Sequence, residues 1–265
     1  MKRRPLGSTG LEVAPVALGT VKLGRNRGVK YPHAFEIPDD KQATRLLDAA
    51  SSLGINLLDT APAYGGSEAR LGALLAGRRE RFLISTKVGE RFDGARSRFD
   101  FTPEAIAASV RRSLQRLRTD RLDLVLVHSD GRDLELITTH GVFDALRELV
   151  ARGLVRAYGM SCKTLDGGRR AVEEAHAAMV PFSRADPRHG PVLERAAQLG
   201  RPVLVKKVFD SGHLLASDNT AERLQSALRP ALRHPGVAAV VIGTCDVTHL
   251  TADVEAARAV LEEPS

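Results

Sequence analysis

The sequence is poor in several residue types, and their scarcity narrows the class of protein. It has two cysteines, no tryptophan and 4% aromatic residues among 265 positions. Cys162 and Cys245 lie far apart and have no partner at metal-ligand spacing, so we expect no metal site and a reducing cytoplasm as the compartment. The few aromatics and the lack of a recognisable module also argue against nucleic-acid binding.

Long apolar runs are absent as well. No run approaches the ~18 residues of a membrane-spanning helix. The basic beginning of the chain is not followed by the apolar stretch of a signal peptide. The formal net charge is +7, from scattered basic residues. We interpret this charge as a solvated, mixed surface, and attraction to an anionic ligand such as a phosphorylated cofactor is the alternative.

Two glycine-rich signatures are also missing, namely Gly-x-Gly-x-x-Gly and the phosphate loop Gly-x-x-x-x-Gly-Lys. What the sequence does contain is a regular alternation of short β-rich runs and longer helical patterns. The predicted strands cover residues 13–21, 55–60, 81–88, 122–128, 155–161, 178–183, 202–209 and 237–243. The predicted helices cover residues 40–53, 67–76, 102–117, 142–152, 165–177, 187–199, 221–232 and 247–261.

These strands are apolar throughout, which is typical of strands buried on both faces of a parallel sheet. Eight β-then-α units predict an α/β fold, a closed (β/α)8 TIM barrel, with residues 1–265 as one domain. A doubly wound sheet is the runner-up, although it would favour a glycine fingerprint after the first strand. Residues 4–13 have turn residues between short extended pieces. They predict a small hairpin that covers the bottom of the barrel.

Three predicted strands end in side chains that can handle protons. Asp59 closes the second strand, and Tyr64 follows in a Pro/Gly turn; Lys87 closes the third strand and His128 the fourth. Because active sites of barrels lie at the C-terminal ends of the strands, we expect these four residues to face one mouth. Each alone has a structural explanation as a cap, a solvated charge or a packing residue. Together they predict an enzyme.

These four residues together suggest a tyrosine whose pKa is adjusted by its neighbours. Free tyrosine has a pKa near ~10, and a neighbouring ammonium such as Lys87 lowers it. Asp59 can hold Lys87 in place and keep it protonated. His128 can donate a hydrogen bond to a substrate carbonyl or relay a proton to Tyr64. No side chain supplies hydride, so a nicotinamide cofactor is implied.

The residues resemble a known family, the aldo-keto reductases. The resemblance covers nearly the whole chain in the right order. It implies a (β/α)8 barrel and NAD(P)H-dependent reduction of aldehydes or ketones, with Tyr64 as the acid. The matching motifs are G-S-T-G-L-x-V from Gly7, L-G-T from Leu18, D-T-A-x-x-Y-G from Asp59, S-T-K ending at Lys87, L-V-H ending at His128 and V-I-G-T from Val241.

The same resemblance implies a set of cofactor contacts, one strand end at a time. NADP(H) is favoured, with NAD(H) possible, and the start of the last helix would suit an anion. The implied contacts are Gly19, Thr20, Asp59, Ser161, Lys206, Phe209, Ser211, Gly212, Leu214, Gly243, Thr244, His249 and Asp253.

Three positions depart from the family pattern. Cys162 stands where Asn is frequent, Met179 where Gln usually meets the carboxamide, and Lys206, followed by Lys207, where an aromatic stacks on the nicotinamide. The segment 211–219 is brief, which suggests an open, poorly enclosed substrate site. We expect a small-molecule carbonyl substrate and a monomer or small homo-oligomer.

Two other functions stay open at this stage. One is a cofactor-binding barrel with little turnover, which acts as a redox-sensing or regulatory subunit; the altered nicotinamide contacts favour it and the intact proton-handling set opposes it. The other is a lyase or aldolase that uses Lys87 as a Schiff-base amine.

Overall fold

The computed structural model describes residues 1–215 and 220–264. Its centre is a closed barrel of eight parallel strands wrapped by helices, which confirms the (β/α)8 prediction. The strands, in chain order, are β1 Arg4–Pro5, β2 Glu12–Val13, β3 Val16–Gly19, β4 Leu57–Asp59, β5 Leu83–Val88, β6 Glu90–Phe92, β7 Ser97–Phe99, β8 Leu122–His128, β9 Val155–Ser161, β10 Ala177–Pro181, β11 Val203–Lys206 and β12 Val237–Ile242. The barrel order is β10-β11-β12-β3-β4-β5-β8-β9.

The helices surround the barrel, and several of them begin at a side chain that caps the first turn. They are α1 Asp40–Ser52, α2 Ser67–Leu74, α3 Pro103–Leu117, α4 Asp133–Thr138, α5 Val142–Ala151, α6 Leu165–Glu174, α7 Gly190–Gln198, α8 Ala221–Leu232 and α9 Val247–Glu262. Asp39 forms a reciprocal capping box with Gln42 at the start of α1. Thr102 caps α3, whose first residue is Pro103, as the sequence predicts. None of the described helices is long and apolar enough to cross a bilayer.

The predicted hairpin is present and closes the bottom of the barrel. Strands β1 and β2 pair in antiparallel fashion. The turn between them is bonded to the entrances of two barrel strands, because Gly7 N donates to Pro202 O and Ser8 N donates to His176 O. Leu6 and Leu11, on either side of that turn, are buried in the same cluster as the inward-facing barrel residues.

The barrel strands bury both of their faces, as their unbroken apolar character predicts. In β8, Leu124 and Leu126 belong to the cluster inside the barrel. Val125 and Val127 belong to the larger cluster between barrel and helices. Alternate residues of a strand point to opposite faces, so one seven-residue strand contributes to both cores.

Most predicted element boundaries lie within a few residues of those observed, and two strand predictions were too long. The strand predicted at 202–209 ends at Lys206, because Lys207 has a φ of 62° and leaves extended geometry. The strand predicted at 13–21 is divided, since Val13 pairs in the hairpin and the barrel strand runs over Val16–Gly19. The hairpin β6–β7 and the helix α4 were not predicted. Residues 216–219, part of the segment expected to be brief, lie outside the described residues.

Two glycines in the turn of the N-terminal hairpin allow a test of how closely this hairpin packs against the bottom of the barrel. Gly7 has a φ of 52°, and a Cβ there would meet His176 O at 2.0 Å. Gly10 has a φ of 69° but has open space around it. We expect Gly7→Ala to lower the free energy of unfolding by about 2–4 kcal/mol, because backbone strain and a steric clash add.

The matched control is Gly10→Ala, which carries backbone strain alone and should cost about 1 kcal/mol. Urea unfolding followed by circular dichroism measures both variants. Equal losses in the two variants would contradict the close fit of the hairpin against the barrel.

Candidate active site

Strand register brings the predicted site residues to one face. Asp59 is paired with Ser85, Lys87 with Leu126, and His128 with Ser161. Paired residues of parallel strands share a face, and residues two apart on one strand do too. The side chains at the C-terminal ends of β4, β5, β8 and β9 therefore converge on the mouth of the barrel. The pocket there has a volume of about 930 Å3 and is lined by Asp59, Tyr64, Lys87 and His128.

The centre of the pocket is a buried ion pair. Lys87 Nζ donates to both carboxylate oxygens of Asp59, at 2.8 and 2.7 Å, and to Thr60 O at 2.9 Å. The two side chains are 2% and 4% exposed. Burial lowers the pKa of Lys87, but Asp59 and Tyr64 raise it further, and the net shift is upward. Lys87 is therefore an ammonium held in place by hydrogen bonds to the Asp59 carboxylate and to Thr60 O.

Tyr64 is held beside that ammonium by a tight turn. The 3-10 turn Pro62–Tyr64 ends at Gly65, whose φ is 60° and whose Cβ position is blocked by Gly24 O at 2.2 Å. Lys87 Nζ lies 4.9 Å from the centroid of the phenol ring. Lys87 lowers the pKa of Tyr64 as expected, but burial and Asp59 outweigh it and the net shift is upward. The lowering by Lys87 is as expected, and desolvation of the buried phenol is the larger effect.

His128 completes the set and brings in a residue that the sequence did not suggest. Its ring is edge-on to Tyr64, with centroids 6.3 Å apart. Its Nδ1 lies 2.6 Å from Oε2 of Glu90, the first residue of β6. The contact is close but does not have the alignment of a good hydrogen bond. The sequence does place the Glu90 carboxylate directly after the Lys87 strand. Its position beside His128 depends on the hairpin β6–β7, which was not predicted.

The structure places most of the expected cofactor contacts on the wall of the same pocket. Two are elsewhere. Thr20 donates its hydroxyl to Asp59 O within a buried network that also includes Ser67. Leu214 lies outside the pocket wall, where its backbone N–H donates to Phe209 O. The expected contacts on the wall are Gly19, Asp59, Ser161, Lys206, Phe209, Ser211, Gly212, Gly243, Thr244, His249 and Asp253.

Lys206 crosses the floor of the mouth. Its Nζ donates to Ser161 Oγ at 2.7 Å, spanning the end of β10, where Met179 lies 3.6 Å from the same hydroxyl. Burial lowers the pKa of Lys206 to about 8, with Lys87 acting in the same direction. Among the described residues no carboxylate pairs with Lys206. It is a cation inside the pocket with a neutral partner.

The start of α9 is not free to receive an anion. The Asp246 carboxylate already accepts from Thr248 N and His249 N. These backbone bonds lower the pKa of Asp246 and keep it charged. The expectation that this helix start suits an anionic group is therefore wrong, because the chain supplies its own carboxylate. Asp253, about two turns further along the helix, adds a second carboxyl group to this end of the pocket.

The loops around the barrel mouth contribute more residues to the pocket wall than the short segment after β11 suggests. Residues 21–33 pass over the mouth, where Arg25 is tied to Ala63 O and stacks 3.6 Å above the Phe92 ring. The hairpin β6–β7 contributes Glu90, Ser97 and Phe99 to the wall. The expectation of an open, poorly enclosed site was based on the segment after β11; the loops after β3 and β5 contribute further residues to the pocket wall.

A buried carboxylate–ammonium pair beside a phenol, at the mouth of a (β/α)8 barrel, defines an enzyme-type pocket. Comparison with known proteins gives the family. Residues 15–201 match the model of the Aldo/keto reductase family, and the chain belongs to that family. It is an oxidoreductase, in a family whose members use nicotinamide cofactors.

Individual relatives agree with this assignment. The chain is 31% identical to a D-threo-aldose 1-dehydrogenase of a Pseudomonas species, over 80% of this chain and 70% of that protein. It is 28% identical to an uncharacterised oxidoreductase of Bacillus subtilis, over 98% of this chain and 92% of that protein. In structure it resembles a putative aldo-keto reductase from Pseudomonas aeruginosa, with a TM-score of 0.88, 45% identity and coverage of 98% and 95%. It also resembles the holo form of an aldo-keto reductase from Bacillus halodurans, with a TM-score of 0.82 and 26% sequence identity. That match covers 100% of this chain and 92% of the other.

Asp253 makes the cofactor-free protein sensitive to pH. Its side chain is buried, and burial raises its pKa from 3.8 to about 7, with Lys22 acting in the opposite direction. A carboxyl group with a raised folded pKa stabilises the fold below its unfolded pKa, and this stability is lost as the pH rises towards the folded value. We expect Asp253→Asn to stabilise the protein by up to about 4 kcal/mol at pH 8 and by little at pH 4.5.

Thermal unfolding at the two pH values tests this expectation. Asp246→Asn is the matched control, because the pKa of Asp246 is shifted downward and its carboxylate caps a helix. The control should gain no stability at pH 8. A gain for Asp253→Asn that is the same at both pH values would contradict the account.

Proposed function

We propose that this protein is a nicotinamide-dependent oxidoreductase that interconverts aldehydes or ketones and alcohols, with Tyr64 as general acid. The observation that carries the proposal is the Lys87–Asp59 pair, because it holds an ammonium 4.9 Å from the centroid of the Tyr64 ring. A phenol in this position is protonated at neutral pH and is ready to donate to a carbonyl oxygen. Lys87 then stabilises the phenolate that remains.

The four site residues have separate tasks. Asp59 holds Lys87 charged and oriented, and Lys87 stabilises the anionic form of Tyr64. Tyr64 transfers the proton to the substrate oxygen. His128 faces the same space and exchanges a proton with the site.

The pocket fits a nicotinamide cofactor in its shape and its donors. A side chain at Gly243 would meet the Tyr31 hydroxyl at 3.0 Å, so glycine at this position allows these two residues of the pocket wall to approach closely. We propose that Ser161 and Lys206 hold the nicotinamide end, and that Ser211, Gly212 and Gly243 hold the phosphate-bearing part. When bound, the cofactor supplies or receives hydride, which no side chain can do.

The alternatives are less well supported by the geometry. A Schiff base needs a neutral amine, yet Lys87 is an ammonium with an upward-shifted pKa and its donors occupied by Asp59 and Thr60. A redox-sensing barrel with little turnover is favoured by Lys206 and Met179, which replace usual nicotinamide contacts. It is opposed by a proton-handling set whose members contact one another directly.

The form of the cofactor follows from charge at the start of α9. The sequence favours NADP(H). The Asp246 carboxylate, together with Asp253 in its ionised form, favours NAD(H) instead, because a carboxylate repels a 2′-phosphate and accepts a hydrogen bond from a ribose hydroxyl. We propose NAD(H) as the preferred cofactor and NADP(H) as the weaker one. We further propose a single catalytic domain over residues 1–265, a reducing cytoplasmic location, and a monomer or small homo-oligomer.

Removal of the phenolic hydroxyl tests the proposed acid. Tyr64→Phe should lower kcat/KM for a panel of aldehydes by about 100- to 10,000-fold while cofactor affinity changes little, because the ring packing is kept. Nicotinamide absorbance at saturating cofactor measures turnover, and isothermal titration calorimetry measures cofactor binding. Tyr158→Phe, a change in the outer core, is the matched control. Equal turnover in wild type and Tyr64→Phe would disprove the role.

Cofactor preference tests the charge argument. The dissociation constant for NADH should be at least about 10-fold lower than that for NADPH, which corresponds to 1.4 kcal/mol. Asp246→Asn should reduce this ratio, because the helix cap is kept and the negative charge is removed. The exposed Asp48→Asn on α1 serves as control. Tighter binding of NADPH by the wild type would restore the expectation from the sequence.

A further inference from the structure

The hairpin β6–β7 presses a carboxylate against the proton-handling residues. Glu90 Oε2 lies 2.6 Å from His128 Nδ1, and the side chains are 12% and 19% exposed. Ser97, on the opposite strand of the hairpin, donates its hydroxyl to Glu90. A carboxylate fixed from two sides restricts the orientation of the imidazole ring.

The surroundings define the charge of this pair. Burial lowers the pKa of His128; Glu90 opposes this shift, while Lys87 and Lys206 reinforce it, and the net direction is downward. Burial also hinders ionisation of Glu90, but His128, Ser97 and Arg25 outweigh it and lower its pKa to about 2. At neutral pH the pair is therefore a carboxylate and a neutral imidazole. We assign the single ring proton to Nδ1, because an unprotonated Nδ1 would place its lone pair 2.6 Å from a carboxylate oxygen.

The neighbouring groups leave little choice of proton acceptor. Tyr64 is a neutral phenol and Lys87 is an ammonium, since both pKa values are shifted upward. Asp59 has both oxygens engaged by Lys87. Among the described side chains of the proton-handling set, the other ring nitrogen of His128, Nε2, is the free lone pair.

We infer that Glu90 is a positioning residue that holds His128 with Nδ1–H towards its carboxylate, so that Nε2 serves as the proton acceptor of the pocket. This inference rests on the proposed function, because it concerns alcohol oxidation at the same site. Glu90 is not among the residues that carry the sequence resemblance, and it lies on the hairpin that follows the Lys87 strand.

The proton balance of the oxidation is as follows. The O–H bond of the alcohol breaks as its proton passes to the Tyr64 oxygen, and the phenolic proton of Tyr64 passes to His128 Nε2. The N–H bond formed there converts the imidazole into an imidazolium beside the Glu90 carboxylate. The electron pair of the C–H bond passes to the oxidised nicotinamide, the co-reactant of the proposed function. In the reducing direction the imidazolium returns the proton to the site. Glu90 stays ionised throughout and neutralises the charge formed on the ring.

The test compares wild type, Glu90→Gln and Asp93→Asn. Asp93 is a matched control, because it makes the same carboxylate-to-amide change at the exposed tip of the same hairpin. The pKa of His128 is measured by NMR titration of ring-labelled histidine, assigned with His128→Asn. The second readout is the pH profile of kcat/KM for oxidation of an alcohol panel with oxidised nicotinamide cofactor.

We expect Glu90→Gln to lower the pKa of His128 and to move the acidic limb of the profile to lower pH. The plateau of kcat should fall by roughly 10- to 100-fold with little change in KM, because the ring loses its orientation and its counter-charge. Ser97→Ala should give a smaller change in the same direction, since the carboxylate is kept but loosened. Asp93→Asn should match wild type.

Two outcomes would overturn the inference. One is an unchanged pKa of His128 in Glu90→Gln, and the other is a pH profile that coincides with that of Asp93→Asn. Failure of the proposed function is distinguishable, because wild type would then show no turnover with any alcohol or carbonyl. In that case the NMR titration still decides whether Glu90 controls His128.

Discussion

The buried pair of Lys87 and Asp59 is the interaction on which the rest of the site depends. Two opposite charges almost without solvent are costly unless each is fully partnered, and loss of one partner costs about 3–5 kcal/mol. The barrel meets this requirement with two carboxylate contacts and one backbone carbonyl. The ammonium is thereby fixed in position and charge, and Tyr64 packs beside it. The catalytic proposal and the local stability of the barrel mouth have the same origin.

Other charged residues are distributed unevenly along the pocket that contains this pair. A second lysine, Lys206, enters the pocket with a serine hydroxyl as its partner. At the far end, the start of α9 is occupied by Asp246. Two lysines, Lys87 and Lys206, therefore lie at the Tyr64 end of the pocket, whereas Asp246 and Asp253 lie at the end formed by α9. This distribution underlies both the proposed preference for NAD(H) and the need for Glu90 to balance charge at His128.

Much of the architecture could be predicted because its signals are local. Fully apolar strands, the Thr102–Pro103 helix start and regular β/α spacing lead directly to a closed barrel. Asp59, Lys87 and His128 were found because each stands at a strand end, where direction and register are dictated by the fold. Tyr64 was found through its turn chemistry.

Other features depend on contacts that no local pattern encodes. The hairpin β6–β7 consists of short polar strands, so its sequence resembles a loop, and Glu90 was missed with it. The net pKa shift of Tyr64 depends on burial, which outweighs the Lys87 charge. Asp246 was overlooked because a capping carboxylate and a free helix start look alike until the cap is seen.

A crystal structure with bound nicotinamide cofactor and a carbonyl inhibitor tests the central claim most directly. The account predicts a nicotinamide ring between the Lys87–Tyr64 side of the mouth and the Ser161–Lys206 side. The inhibitor oxygen should lie within hydrogen-bond reach of the Tyr64 hydroxyl, about 2.6–3.2 Å away. A nicotinamide ring bound outside this mouth, or an inhibitor oxygen that contacts neither Tyr64 nor His128, would contradict it.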